Sequence, residues 1–281
     1  MVRRPGFEPG VSGLGGPRLS RYTSNSLSGS TDPLHGVIQR YLDHGLDNHE
    51  IKGFMKWCLE SASRETCSQY VSYLRKPLDR NNRWSVKAYK KYFKYIGRED
   101  LWSLLKAKKS GVDQYVPSDE RVIESLRKAK ARDVIYHVYR QLLFSGLRLR
   151  EVVYLLKTHE TSKWIKISHD TRIFYRYPLL WERRSKQVFY HYTAEIPPRI
   201  VVNDKAVSTW ARKHGLVNPK YIRKWVATKM IMIGIPNDVV NYIQGRVSRE
   251  VLSKHYLDLL VLADKNYPRY LEYIEGLGLT N

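Results

Sequence analysis

The sequence predicts a mainly α-helical protein: a basic helical domain followed by an α+β domain that carries a small antiparallel sheet. Three observations lead there. Apolar residues recur at steps of three and four through most of the chain, the period of a helix with one buried face. Residues 162 to 200 break that period. They are rich in β-branched and aromatic residues, as in SKWIKIS, TRIFYRYPLLW and QVFYHYTAEI, with turn-like HD and ERRSK pieces between them. A segment with Gly111 and Pro117, AKKSGVDQYVP, separates the two regions.

Taken in order, residues 1–33 are dominated by Gly, Pro and Ser, show no apolar period, and are expected to be flexible. Residues 34–109 read as a compact basic helical domain. Ile51, Phe54, Met55 and Cys58 form one apolar stripe; Val71, Leu74 and Leu78 form a second; Tyr89, Tyr92, Phe93 and Ile96 form a third. Lys87, Lys90, Lys91 and Lys94 surround the third stripe. The stripe reads as core and the lysines beside it as phosphate contacts. Residues 110–117 are a linker. The second domain, 118–265, opens at Ser118 as a helix N-cap. Its helical pattern stops at Ser145-Gly146 and restarts through Val152, Val153 and Leu156. After the sheet region, Asn218-Pro219 is a strong helix start, an N-cap residue followed by proline at the first helical position. Residues 266–281 form an amphipathic tail with Tyr267, Tyr270, Leu271, Tyr273 and Ile274, suited to packing either on a neighbouring protomer or on its own domain.

Charge narrows the function. Lys and Arg total 49 against 27 Asp and Glu, a net charge of +22 over 281 residues. Such a surplus favours a polyanionic partner, nucleic acid first, with a ribosomal-type or membrane-surface protein as the alternatives. With 42% hydrophobic residues the chain can bury a core and is not disordered as a whole. Cys58 and Cys67 are the two cysteines, and no Cys/His cluster has zinc spacing. They are expected to be small buried hydrophobes in a reducing cell. No apolar run reaches the ~20 residues of a membrane span, and the first residues lack the hydrophobic stretch of a secretory signal. A soluble, cytoplasmic protein is expected.

Several cationic residues stand at helix junctions. Arg148 follows the helix-ending Ser145-Gly146, where a guanidinium can fork around a phosphate, while Arg150 is expected to point elsewhere. Lys220 and Arg223 share a face at a helix start, whose free N–H groups and partial positive charge also favour anions. Arg246 follows Gly245, and a short helix carrying Tyr256 comes next. Each feature alone has an ordinary structural explanation: a solvated helix end, an arginine paired with a helix-end carboxylate, one tyrosine among 21.

Their order resembles the catalytic domain of the tyrosine recombinases: Gly-Leu-Arg at a helix junction, a β-hairpin with a lysine, a basic-x-x-Arg helix start, Gly-Arg, then Tyr ten residues later. The resemblance spans about residues 118 to 260, and 34–109 stands where that family has its core-binding domain. It implies Arg148 and Arg223 as the two arginines and Tyr256 as nucleophile. Lys186 in the ERRSK turn is preferred over Lys163 and Lys166 as the hairpin lysine. Lys220 stands where histidine is usual, and Arg246 where histidine or tryptophan is usual; both departures are similar to those of archaeal virus and plasmid integrases of the fusellovirus type. The implied chemistry is attack of Tyr256 on a phosphodiester to give a 3′-phosphotyrosine, with no cofactor and no metal. The implied partners are double-stranded DNA attachment sites and further copies of the chain, up to a tetramer, with the tail as one route of self-association. Competing readings are a type IB topoisomerase-like enzyme and a non-catalytic basic DNA-binding protein. Finally, Gly6-Phe7-Glu8-Pro9 can be encoded by GGN-TTC-GAA-CCN, which matches the T-arm consensus of a tRNA gene. Integrases of this type resemble one another in carrying the attachment site within their own gene, so integration into a tRNA gene is the expectation.

Overall fold

The computed structural model describes residues 33–108, 111–169, 172–183, 186–246 and 258–280, without the side chains of 33–35, 183 and 186. Two compact units divide between Val112 and Asp113.

The first unit consists, among the described residues, of helices α1 (Pro33–Asp43), α2 (Asn48–Ser61), α3 (Arg64–Leu74), α4 (Arg83–Tyr95) and α5 (Glu99–Leu104). Short polar side chains start three of them. Asp47, Ser63 and Asn82 each accept a hydrogen bond from a backbone N–H of the first turn, satisfying donors that have no partner within the helix. The third apolar stripe lies in the core: Tyr89 and Phe93 are fully buried beside Tyr41, with Tyr92 next to them. Ile96 departs from that expectation and is exposed, because α4 has already ended at Tyr95. The Tyr89 hydroxyl, which would be costly to bury alone, donates to the Lys76 carbonyl at 2.7 Å.

The expectation of two separate thiols is corrected. Cys58 and Cys67 are both fully buried, as expected of small hydrophobes, but they are joined as a disulfide with Cα atoms 5.8 Å apart. The cause is local. Only Ala62 and Ser63 connect α2 to α3, so the last turn of one helix folds back onto the first turn of the next.

The second unit begins with α6 (Asp119–Ala129), α7 (Asp133–Ser145) and α8 (Leu149–Thr158). Strands β1 (Ile165–His169), β2 (Arg172–Arg183) and β3 (Lys186–Thr193) follow as an antiparallel sheet in the order β1-β2-β3. Then come α9 (Asp204–Lys213), α10 (Pro219–Met232), α11 (Asn237–Ile243) and α12 (Leu259–Gly276). The sheet lies where β-branched and aromatic residues replace the helical period. Helix α10 starts at its predicted signal: Asn218 caps it and Pro219 occupies the first turn.

Helices α7 and α10 pack on each other through the centre of this unit, and α7 and α11 also touch β3. Trp225 of α10 and Tyr139 and Phe144 of α7 are completely or almost completely buried there. Residue 266, the expected start of the tail, lies inside α12. Tyr267 and Tyr270 are fully buried in their own unit, where their hydroxyls donate to the carbonyls of Phe144 and Leu143 on α7. With Leu271 and Ile274, also buried, they close the core of the same unit. No helix among the described residues is long and apolar enough to cross a membrane.

Candidate functional site

Two glycines shape the site. Gly146 ends α7 with φ 59°, and a Cβ there would come within 2.4 Å of Gln244 Nε2 and 2.9 Å of Val226. Gly245 follows α11 with φ 63°, and its Cβ would meet Val188 at 2.6 Å. Both positions need a left-handed backbone and have no room for a side chain, so glycine is the residue that fits. Each glycine lets the chain turn within two residues of an arginine, Arg148 after the first and Arg246 after the second.

Arg148 is the N-cap residue of α8. Glu151, three residues on, accepts from its backbone N–H at 2.7 Å and from its Nη1 at 2.5 Å. The guanidinium also donates to the Gly245 carbonyl at 3.3 Å. Arg223 lies one turn into α10, 8% exposed, and donates through Nη1 to the Gly146 carbonyl at 3.0 Å. Its Nη1 is 3.8 Å from Glu151. Gln244, fully buried, ties the third element in by donating to the Arg223 carbonyl at 2.9 Å. Arg148, Arg223 and Arg246, far apart in sequence, therefore line one cleft of about 780 Å³ together with Lys220 and Trp181.

The cleft is strongly cationic. Glu151 is the carboxylate within it, 2% exposed and shared between two guanidiniums. Burial, reinforced by Arg148 and Arg246, pulls Arg223 down to about 9. Desolvation and then Arg148 also lower Arg246. At neutral pH Arg223 still carries its charge, and its buried Nη2 has no hydrogen-bond partner among the described residues. A buried donor in that state is costly, and a tetrahedral oxyanion has the charge and acceptors to relieve it.

The other expected residues divide. Lys220 reaches the cleft, but its ammonium pairs with Asp113, whose carboxyl is held down at about 2 chiefly by that contact. Lys224 also contacts Asp113, and Tyr115 packs edge-on against Tyr221. Asp113 and Tyr115, in the segment expected to be a linker, are thus fastened to α10. Arg150 pairs with Asp204 on α9, yet it also lines the cleft beside Arg148, where it was expected to point elsewhere. Lys163 pairs with Glu160. Lys186 is the first residue of β3, opposite Arg183, and its side chain lies outside the described atoms. Tyr256 and the helix expected near Ser248 lie outside the described residues.

The sequence reading missed Glu151, Asp113 and Trp181. A glutamate three residues after a helix N-cap is a readable signal for Glu151. Nothing local marks the other two. Among the described residues, no group of three or more His, Cys, Asp or Glu is placed to hold a metal ion.

The family model described as archaeal phage integrase matches residues 114–273, more than half of the chain. The chain belongs to the archaeal phage integrase family. This agrees with the motif order that resembled the tyrosine recombinases. No curated relative matches the sequence. Among solved structures, the chain is similar to XerA recombinase, with 16% identity and a TM-score of 0.32 over 80% of this chain and 98% of that one. It is similar to the integrase from mycobacterium phage Brujita, with 12% identity and a TM-score of 0.36 over 78% and 91%. It is also similar to a lambda integrase dimer bound to a COC′ core site, with 13% identity and a TM-score of 0.43 over 85% and 82%. The family assignment rests on the sequence match and not on these three structures.

Proposed function

We propose that this integrase-family chain is a site-specific recombinase that cuts and rejoins DNA through a covalent bond to Tyr256. The observation that carries the proposal is the meeting of Arg148, Arg223 and Arg246 in one cleft, with Arg223 buried and holding an unpartnered donor among the described residues. An arginine this deep, with no carboxylate of its own at hydrogen-bond distance, is suited to an anion that arrives from outside.

In this mechanism the scissile phosphate sits against the arginines. The Tyr256 oxygen attacks phosphorus, a P–O bond to the phenol forms, and the bond to the 5′-oxygen breaks. The phenol, with an ordinary pKa near ~10, gives up its proton to water more readily among cations. The extra negative charge on the phosphoryl oxygens is met by Arg148 and Arg223, each such donor contributing about 3 kcal/mol, and Arg246 adds a third contact. Lys186 gives its proton to the departing 5′-oxygen. Lys220, once released from Asp113, adds positive charge at the mouth. The phosphotyrosine keeps the bond energy, so the reverse attack by a 5′-hydroxyl rejoins the strand.

The partners in this proposal are double-stranded attachment sites and other copies of the chain, assembling as a tetramer on two sites. A tRNA gene is the proposed target, from the codons of Gly6 to Pro9. A gene start without tRNA-like sequence rules that target out.

The deciding measurement is covalent trapping on a nicked suicide duplex. The wild-type chain should form an adduct that maps by peptide sequencing to Tyr256. Tyr256→Phe should bind the duplex normally and yield no adduct. An adduct that survives this substitution refutes the nucleophile.

A further inference from the structure

The hairpin of β2 and β3 contains an irregularity that places one side chain. Pro178 is paired with Tyr190, but Trp181 is paired with Val188. Two residues of β2, Leu179 and Leu180, thus oppose a single residue of β3, Phe189, so β2 carries one extra residue. Successive side chains on a strand alternate between faces. In an unbroken ladder Leu180 would stand opposite Val188. The bulge moves Trp181 into that place instead. Leu180 is left 69% exposed with φ 41°, a left-handed conformation that a leucine rarely adopts. Backbone strain of this kind persists where surrounding structure enforces it, and it is a fair starting point for a functional inference.

The indole is placed beside the arginines. Val188, its cross-strand partner, is buried against Gly245, which directly precedes Arg246. Trp181 itself lines the cleft with Arg148, Arg223 and Arg246. Behind it stands Tyr154 of α8, whose ring stacks on the indole at 5.1 Å between centroids and 9° between planes. Tyr154 is 40% exposed, so the pair does not fill a core void. It forms a braced aromatic wall on one side of a cationic pocket.

A flat apolar wall next to a phosphate-binding floor matches the two halves of a nucleotide. We propose that Trp181 is a substrate-contact residue that receives the nucleoside adjoining the phosphate held by the arginines, and so fixes which phosphodiester lies in line for cleavage. This rests on the recombinase reading for the identity of the polymer, while the contact itself depends only on DNA entering the cleft. Stacking on an aromatic ring tolerates any base, so Trp181 sets position and not sequence.

The test uses the full chain and a nicked duplex carrying its own gene start, with 5-iododeoxyuridine in place of thymidine, and a mixed-sequence duplex as control. Irradiation should cross-link a peptide containing Trp181 in the wild type and in Trp181→Phe, and not in Trp181→Ala. Overall affinity should stay within about threefold, because phosphate contacts carry it. Adduct formation at saturating DNA should slow at least tenfold in Trp181→Ala and recover in Trp181→Phe. An abasic nucleotide beside the nick then separates the two ways of contact. A base contact makes wild type and Trp181→Ala equal on that duplex, and a sugar contact preserves their difference; either supports the proposal. The proposal is overturned if wild type cross-links elsewhere but never at Trp181 and Trp181→Ala forms adduct at the wild-type rate. If no adduct forms in any protein while the Trp181 cross-link persists, the recombinase reading falls and the contact stands.

Discussion

Arg140 and Arg223 are both buried arginines in the core of the same unit, and they are held in opposite ways. Arg140, 5% exposed, grips Glu195 with two hydrogen bonds of 2.7 Å, one from Nε and one from Nη2, and reaches the Thr280 carbonyl at 2.9 Å. Burial opposes its charge, but Glu195 more than compensates and its pKa is raised. Arg223 has one carbonyl, a carboxylate at 3.8 Å that Arg148 holds more closely, and an unused Nη2 among the described residues. Its pKa is lowered. The difference separates an arginine that completes the fold from one that waits for a ligand. A buried charge with its full set of partners is structural, while one left short is stored binding energy for an anion.

Substitution at both places is the sharpest way to break this contrast. Arg223→Ala should reduce covalent adduct formation by about a thousandfold, in line with the loss of a transition-state donor, while leaving the melting temperature unchanged or slightly higher. Arg140→Ala should do the reverse. It should lower stability by roughly 1–3 kcal/mol, discounted because Glu195 is partly exposed, and spare cleavage below the new melting temperature. Equal losses of activity and stability at both positions would remove the distinction.

A smaller effect concerns pH. His191, fully buried on β3 with Nε2 hydrogen-bonded to Gln141, is pushed down to about 3 by burial and then by His159. The unfolded chain, with an ordinary histidine near ~6.5, then binds more protons than the folded one between these values. This contribution is fully present above pH ~6.5 and is lost as pH falls toward 3. Denaturant titrations at pH 7 and pH 5 should differ by about 2 kcal/mol from this residue, and His191→Gln should flatten that part of the profile. An unchanged slope in the variant would show that His191 does not titrate as burial dictates.

The smallest expected effect is at the mouth of the cleft. Asp113→Asn frees Lys220 from its carboxylate. Stability should not change measurably, since the pair is exposed, and DNA should bind about two- to threefold more tightly at low salt, an advantage that fades as salt is added. Weaker binding in filter or mobility-shift titrations would mean that Asp113 orders the lysine for DNA instead of withholding it.

Much of the architecture was legible from periodicity alone. The change of period at 162–200 located the sheet, and Asn218-Pro219 located the start of α10, because caps and alternation act between near neighbours. The Cys58–Cys67 pairing was missed because spacing does not report how sharply two helices fold back. The pairing of Asp113 with Lys220 was missed because the two residues are 107 positions apart. The aromatic residues after 266 could have faced a partner or their own core, and helical spacing is the same in both cases.

What the sequence determined by itself was the helical and strand periods, the excess of positive charge and the order of the motifs that led to the integrase family. Only the tertiary structure decided which arginine is left short of partners and which tryptophan stands beside it. Partner counts and burial depend on contacts between residues distant along the chain, and a linear pattern carries no record of them.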